Sequence, residues 1–152
     1  MAINGVSRII VAVRDLEASK AFYARALGAK FSDASGTGEA YGIQVAISWN
    51  AGIELCSPAP GREKDSAVSP FLEHFGEGIV NVVFDVDDAD MAVEGARALG
   101  LGITNSVDYE SEEIDRFLDG RFDRYKEYFL DSRDHCGFSL TLGQFEERES
   151  SD

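Results

Sequence analysis

Residues 11–31 have the sequence VAVRDLEASKAFYARALGAKF, and residues 84–103 repeat its plan as FDVDDADMAVEGARALGLGI. In each copy an apolar strand segment leads into an acidic turn, a helical pattern, the letters ALG and a second apolar segment. The string ARALG begins at Ala24 and again at Ala96. Because one strand-helix-strand unit occurs twice, the sequence predicts a chain built of two related modules.

The helix of the first copy has recognisable ends and one apolar stripe. Asp15 is suited to the N-cap position, and Gly28 to the C-terminal stop. Helical spacing places the apolar residues on one stripe, which we expect to pack on a sheet. The stripe consists of Leu16, Ala18, Ala21, Phe22, Ala26 and Leu27.

Length, charge and cysteine content restrict the classes of protein. The 152 residues suffice for one buried domain or for two small modules that share a core. Neither an apolar run of about 20 residues nor a signal-peptide pattern is present, so we expect a cytoplasmic protein without a membrane segment. The net charge of −14 argues against nucleic-acid partners. Cys56 and Cys136 fit reduced thiols.

Taken in order, the apolar and turn patterns give two βαβββ modules in a single domain. Module 1 covers residues 6–56, a linker with all three prolines covers 57–77, and module 2 covers 78–142. Residues 143–152 form an acidic tail, of which we expect residues 146–152 to be frayed. Module 2 also carries an insert at 108–124. Its apolar residues, at helical spacing, predict either a solvated helix on a sheet edge or a lid.

Four segments resemble the vicinal-oxygen-chelate superfamily, which includes glyoxalase I, extradiol dioxygenases and bleomycin-resistance proteins. They are VRDLEASKAFYARALG, GIELCSPAP, FLEHFGEGIVNVVFDVDD and FLDSRDHCGFSLTL, and they are most similar to methylmalonyl-CoA epimerase-like members. The resemblance implies an α+β fold of two tandem βαβββ modules that form an open, cup-shaped mixed sheet. It also implies a divalent metal, held at the cup floor by four side chains.

The resemblance assigns each of the four metal-ligand positions of the family to a residue of this sequence, and three of the four residues differ in type from the family's ligands. The family's first ligand falls on Arg8, the second on Glu54, the third on Asn81 and the fourth on Thr141. Arg8 has no lone pair to offer, and Asn81 and Thr141 are weak neutral donors. We therefore expect no metal and no other cofactor at this position.

Arg8 and Glu54 have two interpretations. They form either a buried ion pair that only holds the scaffold, or a catalytic pair in which Arg8 binds a substrate oxyanion and Glu54 accepts a proton. Further substrate-binding candidates come from the four family positions, the aromatic strand residues and the insert. They are Asn81, Thr141, Tyr41, Tyr125, Tyr128 and Phe117. We expect His74 and His135 to lie on the surface.

These residues are compatible with two functions. The first is a metal-independent isomerase, epimerase or lyase that moves a proton next to a carbonyl in a small carbonyl- or phenol-containing metabolite. The alternative is a non-catalytic protein of the bleomycin-resistance type that sequesters a small molecule. Strict methylmalonyl-CoA epimerase and dioxygenase activities are disfavoured by the altered ligand set. Because such modules leave exposed sheet edges, we also expect a homodimer.

Overall fold

The computed structural model describes residues 1–150. The chain divides into two compact units. The first unit comprises residues 8–80, and the second comprises residues 1–7 together with 81–150.

The first unit has the βαβββ order predicted for module 1. It contains the second half of β1 (Ile3–Ala12), then α1 (Leu16–Leu27), β2 (Ser32–Asp33), β3 (Ile43–Ser48), β4 (Ile53–Pro58) and α2 (Ser69–Phe75). Two short 3-10 turns, Ser35–Thr37 and Glu39–Tyr41, precede β3. The strand order is β2-β3-β4-β1, in which β1 and β4 are parallel and the other pairs are antiparallel.

The second unit repeats this order and adds two helices. Its elements are β5 (Gly78–Val86), α3 (Ala89–Ala98), β6 (Ile103–Asp108), α4 (Ser111–Phe117), β7 (Phe122–Leu130), α5 (Arg133–Cys136) and β8 (Ser139–Glu147). The strand order is β6-β7-β8-β5, with β5 and β8 parallel and the other pairs antiparallel. The predicted fold class, α+β with two tandem βαβββ modules, is confirmed.

The two long helices begin with the same kind of cap. Asp15 Oδ1 accepts a hydrogen bond from the Ala18 amide at 3.0 Å, and Asp88 Oδ1 accepts one from the Met91 amide at 3.0 Å. Gly28 ends α1 with φ 68°, a left-handed conformation that favours glycine. The predicted cap at Asp15 and stop at Gly28 are therefore confirmed.

Each unit has its own small core on the helix-bearing side of its strands. In the first unit Val11, Val13, Ile53 and Leu55 form the core, and Leu16 and Tyr23 of α1 pack against it. In the second unit the core is larger, because α3 buries four of its residues. They are Ala89, Ala92, Val93 and Ala96.

The predicted packing stripe of α1 is confirmed at Leu16 and wrong at Phe22 and Leu27. No residue of α1 is buried, and Phe22 and Leu27 are each 62% exposed. The helix instead rests on Leu16 and Tyr23, seven residues apart and therefore on one face. The large side chains Phe22 and Leu27 of the predicted stripe therefore point away from the core.

The C-terminal segment and the insert also differ from prediction. Strand β8 continues to Glu147, so Glu146 and Glu147 of the tail are paired with β7 rather than frayed. Arg148 follows the strand and forms ion pairs with Asp115 of α4 and Asp123 of β7, both at 2.9 Å. Within the insert only Ser111–Phe117 is an α-helix, and Phe122 already belongs to β7. Ser151 and Asp152 of the predicted tail lie outside the described residues.

Within residues 1–150, each helix is too short or too polar to cross a bilayer.

Candidate active site

Arg8 and Glu54 lie on neighbouring strands of the first unit. In the parallel pairing of β1 with β4, Ile10 is the partner of Glu54, and Arg8 is on the same face of β1 as Ile10. Arg8 Nε donates a hydrogen bond to Glu54 Oε2 at 2.7 Å. The side chains are 1% and 10% exposed. The predicted burial of Arg8 beside Glu54 is thus confirmed.

The surroundings of this pair are largely apolar. The Arg8 guanidinium carbon lies 5.5 Å from the centre of the Trp49 ring, within reach of a cation-π contact. Buried Ile47 is the cross-strand partner of Glu54. Cys56 Sγ lies 4.0 Å from Glu54 Oε1, a long contact for a thiol donor. Since water is largely excluded, charges in this place interact more strongly than on the surface.

The second unit brings the other two predicted positions together. Asn81 on β5 donates through Nδ2 to Thr141 Oγ1 on β8 at 3.2 Å. Asn81 is 9% exposed, and Thr141 is fully buried. The structure therefore places the four positions as two contacting pairs, one in each unit.

These four residues do not fit the divalent metal that the resemblance implies. Glu54 is the one anionic ligand of the set, and it already accepts a hydrogen bond from Arg8, which stays protonated. Asn81 and Thr141 hydrogen-bond to each other and offer only neutral oxygens, which bind such metals weakly. Within residues 1–150 no group of three or more His, Cys, Asp or Glu side chains is arranged to hold a metal ion.

Tyr125 and Phe117 belong to one aromatic cluster of the second unit. Tyr109 stacks on Tyr125 with ring centres 5.5 Å apart, and Phe117 meets Tyr109 edge-on at 5.9 Å. Phe145 of β8 lies 4.9 Å from Tyr125. The sequence interpretation missed Tyr109 and Phe145, because the strand pairings that bring them here join distant parts of the chain.

Tyr128 does not share a face with Tyr125. They are three positions apart on β7, so the alternation of a strand places them on opposite faces and turns Tyr128 toward α3. There its hydroxyl donates to Asp90 Oδ1 at 2.6 Å, and Lys126 Nζ lies 2.7 Å from the same oxygen. Hydrogen bonds from Lys126 and then Tyr128 hold the pKa of Asp90 below its usual value. Tyr128 thus contacts α3, and its predicted role in binding a substrate stays a prediction.

Tyr41 is also not on a strand. It ends the 3-10 turn before β3, is 38% exposed, and its carbonyl accepts a hydrogen bond from the Ala67 amide. Among the histidines, exposed His74 packs edge-on against Phe75 at 4.4 Å, and His135 is exposed in α5. The predicted surface positions of both histidines are confirmed.

The sequence interpretation also missed Glu127. This carboxylate is 3% exposed and lies on the same face of β7 as Tyr125. Its cross-strand partner on β8 is Gly143. The alternation of Tyr125, Lys126, Glu127 and Tyr128 could have revealed that Glu127 shares a face with one tyrosine and not the other.

Comparison with known proteins defines the class of this fold. The sequence model of the Glyoxalase/Bleomycin resistance protein/Dioxygenase superfamily matches residues 5–139. The chain belongs to this superfamily. None of the curated proteins compared with the chain matches it.

Several solved structures share the fold. Methylmalonyl-CoA epimerase from Mycobacterium tuberculosis superposes with a TM-score of 0.70 at 21% identity, covering 93% of this chain and 88% of that one. A variant of Streptomyces coelicolor methylmalonyl-CoA epimerase in complex with 2-nitronate-propionyl-CoA gives 0.71 at 21% identity, with coverages of 94% and 98%. A hypothetical protein from Bacillus halodurans gives 0.74 at 18% identity, with 96% and 97%. At these identities the likeness concerns the fold.

Proposed function

We propose that this protein is a metal-independent enzyme of the superfamily that moves a proton next to a carbonyl group in a small carbonyl- or phenol-containing metabolite. The reaction would be an isomerisation, an epimerisation or an elimination. The observation that supports the proposal is the Arg8–Glu54 pair, which places a fixed cation and a carboxylate side by side in a dry, apolar setting.

Each member of the pair has a defined part in this chemistry. Glu54 accepts the proton from the carbon next to the carbonyl, and the C–H electrons form the enolate double bond. The carbonyl electrons move to the oxygen, whose negative charge pairs with Arg8. Return of the proton to the other face, or to another carbon, gives the product. Asn81 and Thr141 of the second unit remain proposed ligand-binding residues, through their amide and hydroxyl groups.

Exchange of substrate protons with solvent deuterium tests this proposal directly. The protein is incubated in D₂O with pyruvate, phenylpyruvate and methylmalonyl-CoA, and deuterium at the carbon next to the carbonyl is followed by NMR. We expect exchange of at least one compound, reduced about 10²-fold or more in Glu54→Gln. Exposed Glu146 offers the control Glu146→Gln, which should leave the rate unchanged. Exchange that is equally fast in Glu54→Gln contradicts the catalytic role.

The second candidate is a non-catalytic protein that sequesters a small molecule. It is favoured by the short Arg8–Glu54 contact, because the guanidinium already occupies one oxygen of the carboxylate that would have to accept a substrate proton. The net charge of −14 favours a cationic guest. Native mass spectrometry of the purified protein distinguishes the two candidate functions. A guest that stays bound and chemically unchanged, in a protein that catalyses no deuterium exchange, supports sequestration.

The homodimer and the cytoplasmic location remain predictions. Strand β6 ends the strand order of the second unit, which is the kind of edge that a second copy can cover. Sedimentation at micromolar concentration tests the dimer, and a monomer would count against it.

A further inference from the structure

Four exposed residues form a line along helix α1 of the first unit. They are Asp15, Ala18, Phe22 and Arg25, and they follow one another at spacings of three, four and three residues. Residues at this spacing lie above one another on a helix, as in the seam of a coiled coil. We call this line the α1 seam. Its phenyl ring, Phe22, is 62% exposed, although burial of such a ring is favourable.

A cleft lies beside the first half of the α1 seam. It has a volume of about 420 Å³, and every seam residue except Arg25 lines it. Buried Val11 and Val13 of the first unit give the cleft an apolar part. The Phe22 ring meets the Tyr23 ring edge-on with ring centres 5.1 Å apart, so Phe22 is held at the border of the cleft. A cleft of this size can hold an aromatic side chain of another molecule.

The α1 seam is complementary to itself when two copies of the helix run antiparallel. In one register Phe22 lies over Ala18 of the partner subunit, where the small side chain leaves room for the ring. The same register brings Arg25 next to Asp15 of the partner subunit, so that a cation meets a carboxylate. A two-fold axis makes each contact occur twice. Size and charge therefore select the same register.

The corresponding helix of the second unit does not repeat this pattern. When the two helices are aligned at their N-caps, Asp15 and Asp88, the seam positions 18, 22 and 25 correspond to Met91, Gly95 and Ala98. On this line α3 has neither an aromatic ring nor a basic residue. The self-complementary seam is thus a property of the first unit.

The distribution of charge also favours the first unit as a contact surface between copies. Residues 8–80 contain seven Lys or Arg and nine Asp or Glu residues, whereas the whole chain contains 14 and 28. Most of the excess negative charge therefore lies outside the first unit. Because like charges repel, two copies meet at the lowest electrostatic cost through their first units.

We propose that two copies of this chain associate through the α1 seam, as an antiparallel pair of α1 helices in which the Phe22 ring of each copy occupies the cleft of the other. This inference names a surface for the predicted homodimer and does not depend on the chemistry proposed for Arg8 and Glu54. One helix pair with its clefts buries less area than a large obligate interface, so we expect dissociation at micromolar concentration.

Sedimentation velocity of the full-length protein across the micromolar range measures the dissociation constant. Phe22→Glu should raise it at least about tenfold, because the substitution removes the buried ring and places a charge in the partner's cleft. Since Phe22 is exposed in the single chain, this variant should keep the circular dichroism spectrum of the wild type. Met91→Glu is the matched control, because Met91 is 58% exposed on α3, and it should leave the dissociation constant unchanged.

A charge reversal tests the antiparallel register. Arg25→Glu places a carboxylate next to Asp15 of the partner subunit in both symmetric contacts. We expect the dissociation constant to rise about tenfold at low salt and by less at high salt. Lys30→Glu is the control, because it makes the same change in net charge at an exposed position just beyond α1. Equal effects of Arg25→Glu and Lys30→Glu overturn the register.

The remaining outcomes separate this inference from the other proposals. A wild-type protein that is monomeric throughout the micromolar range overturns both the inference and the predicted homodimer. A dimer that persists in Phe22→Glu, or that dissociates equally in Met91→Glu, overturns the α1 seam alone and leaves another face, such as the edge of β6. Deuterium exchange tests the role of Glu54 independently, because neither Phe22 nor Arg25 belongs to the Arg8–Glu54 pair.

Discussion

Arg8 donates its Nε hydrogen to Glu54 Oε2 across 2.7 Å, and both side chains are nearly withdrawn from water. The pair stands at two positions that resemble metal-ligand positions of the superfamily. A protonated guanidinium beside a carboxylate supplies a fixed positive charge without a metal ion, which gives the candidate site its chemical character.

Substituting one member of this pair should destabilise the protein much more than substituting both. Arg8→Met alone leaves Glu54 buried without its cation, and we expect a loss of about 3 kcal/mol or more in the free energy of unfolding. Arg8→Met with Glu54→Gln should recover to within about 1 kcal/mol of wild type, because two neutral groups need no charge compensation. Urea denaturation of these two variants and of Glu54→Gln alone measures the cycle, and additive losses would contradict the coupling.

Metal binding should be absent at these positions. After growth with added zinc and cobalt, elemental analysis should find well below one metal ion per chain, because three of the four positions offer a cation or weak neutral donors. Chelators should leave the melting temperature unchanged. A metal content near one per chain that disappears in Glu54→Gln would refute this expectation.

Gly143 should tolerate no side chain, because the Phe145 ring occupies the place of a Cβ. Gly143→Ala must displace Phe145 from Tyr125, and we expect a loss of about 1–3 kcal/mol in the free energy of unfolding. Gly95 of α3 is the matched control, since a Cβ there meets nothing within 4 Å. Gly95→Ala should stabilise the protein by about 0.5–1 kcal/mol. Equal effects of the two substitutions in urea denaturation would contradict this reasoning.

Arg148 should hold α4 in place through Asp115 and Asp123. In Arg148→Gln the amides of Ser111–Phe117 should exchange with deuterium about two- to fivefold faster, a size set by the modest strength of exposed ion pairs. Added salt should have a similar effect on the wild type. The control Arg97→Gln removes an exposed pair with Glu94 inside α3 and should leave α4 unaffected. Unchanged exchange in Arg148→Gln would show that the core contacts of Ile114 and Leu118 suffice.

Asp90 should make a stability contribution that depends on pH. Lys126 and Tyr128 lower the pKa of this carboxyl from its ordinary value of 3.8, so its contribution is complete above that value and is lost as the pH falls through the lowered pKa. Asp90→Asn should cost about 0.5 kcal/mol at pH 7, a small value because Asp90 is largely exposed. The difference from wild type should shrink below about pH 4. Asp134→Asn in α5 is the control. If the difference in unfolding free energy between Asp90→Asn and wild type stays constant from pH 3 to pH 7 in urea denaturation, the role of the charge is refuted.

Local sequence patterns were enough for much of the fold. The repeated ARALG unit, the caps at Asp15 and Gly28, and the βαβββ order all depend on residues close together in the chain. The face shared by Arg8, Ile10 and Ala12 follows from strand alternation, and the resemblance to the superfamily added that this face meets Glu54.

The tertiary structure alone decided what each face of β7 contacts. Alternation divides β7 into two faces, but only its pairing with β8 and its packing on α3 assign Tyr128 to the helix and Glu127 to the side of Tyr125. Likewise, the contacts of Leu16 and Tyr23 determine which side of α1 meets the core. Strand register and helix rotation are set by contacts between residues far apart in the chain, and periodicity within one segment carries no information about its partner.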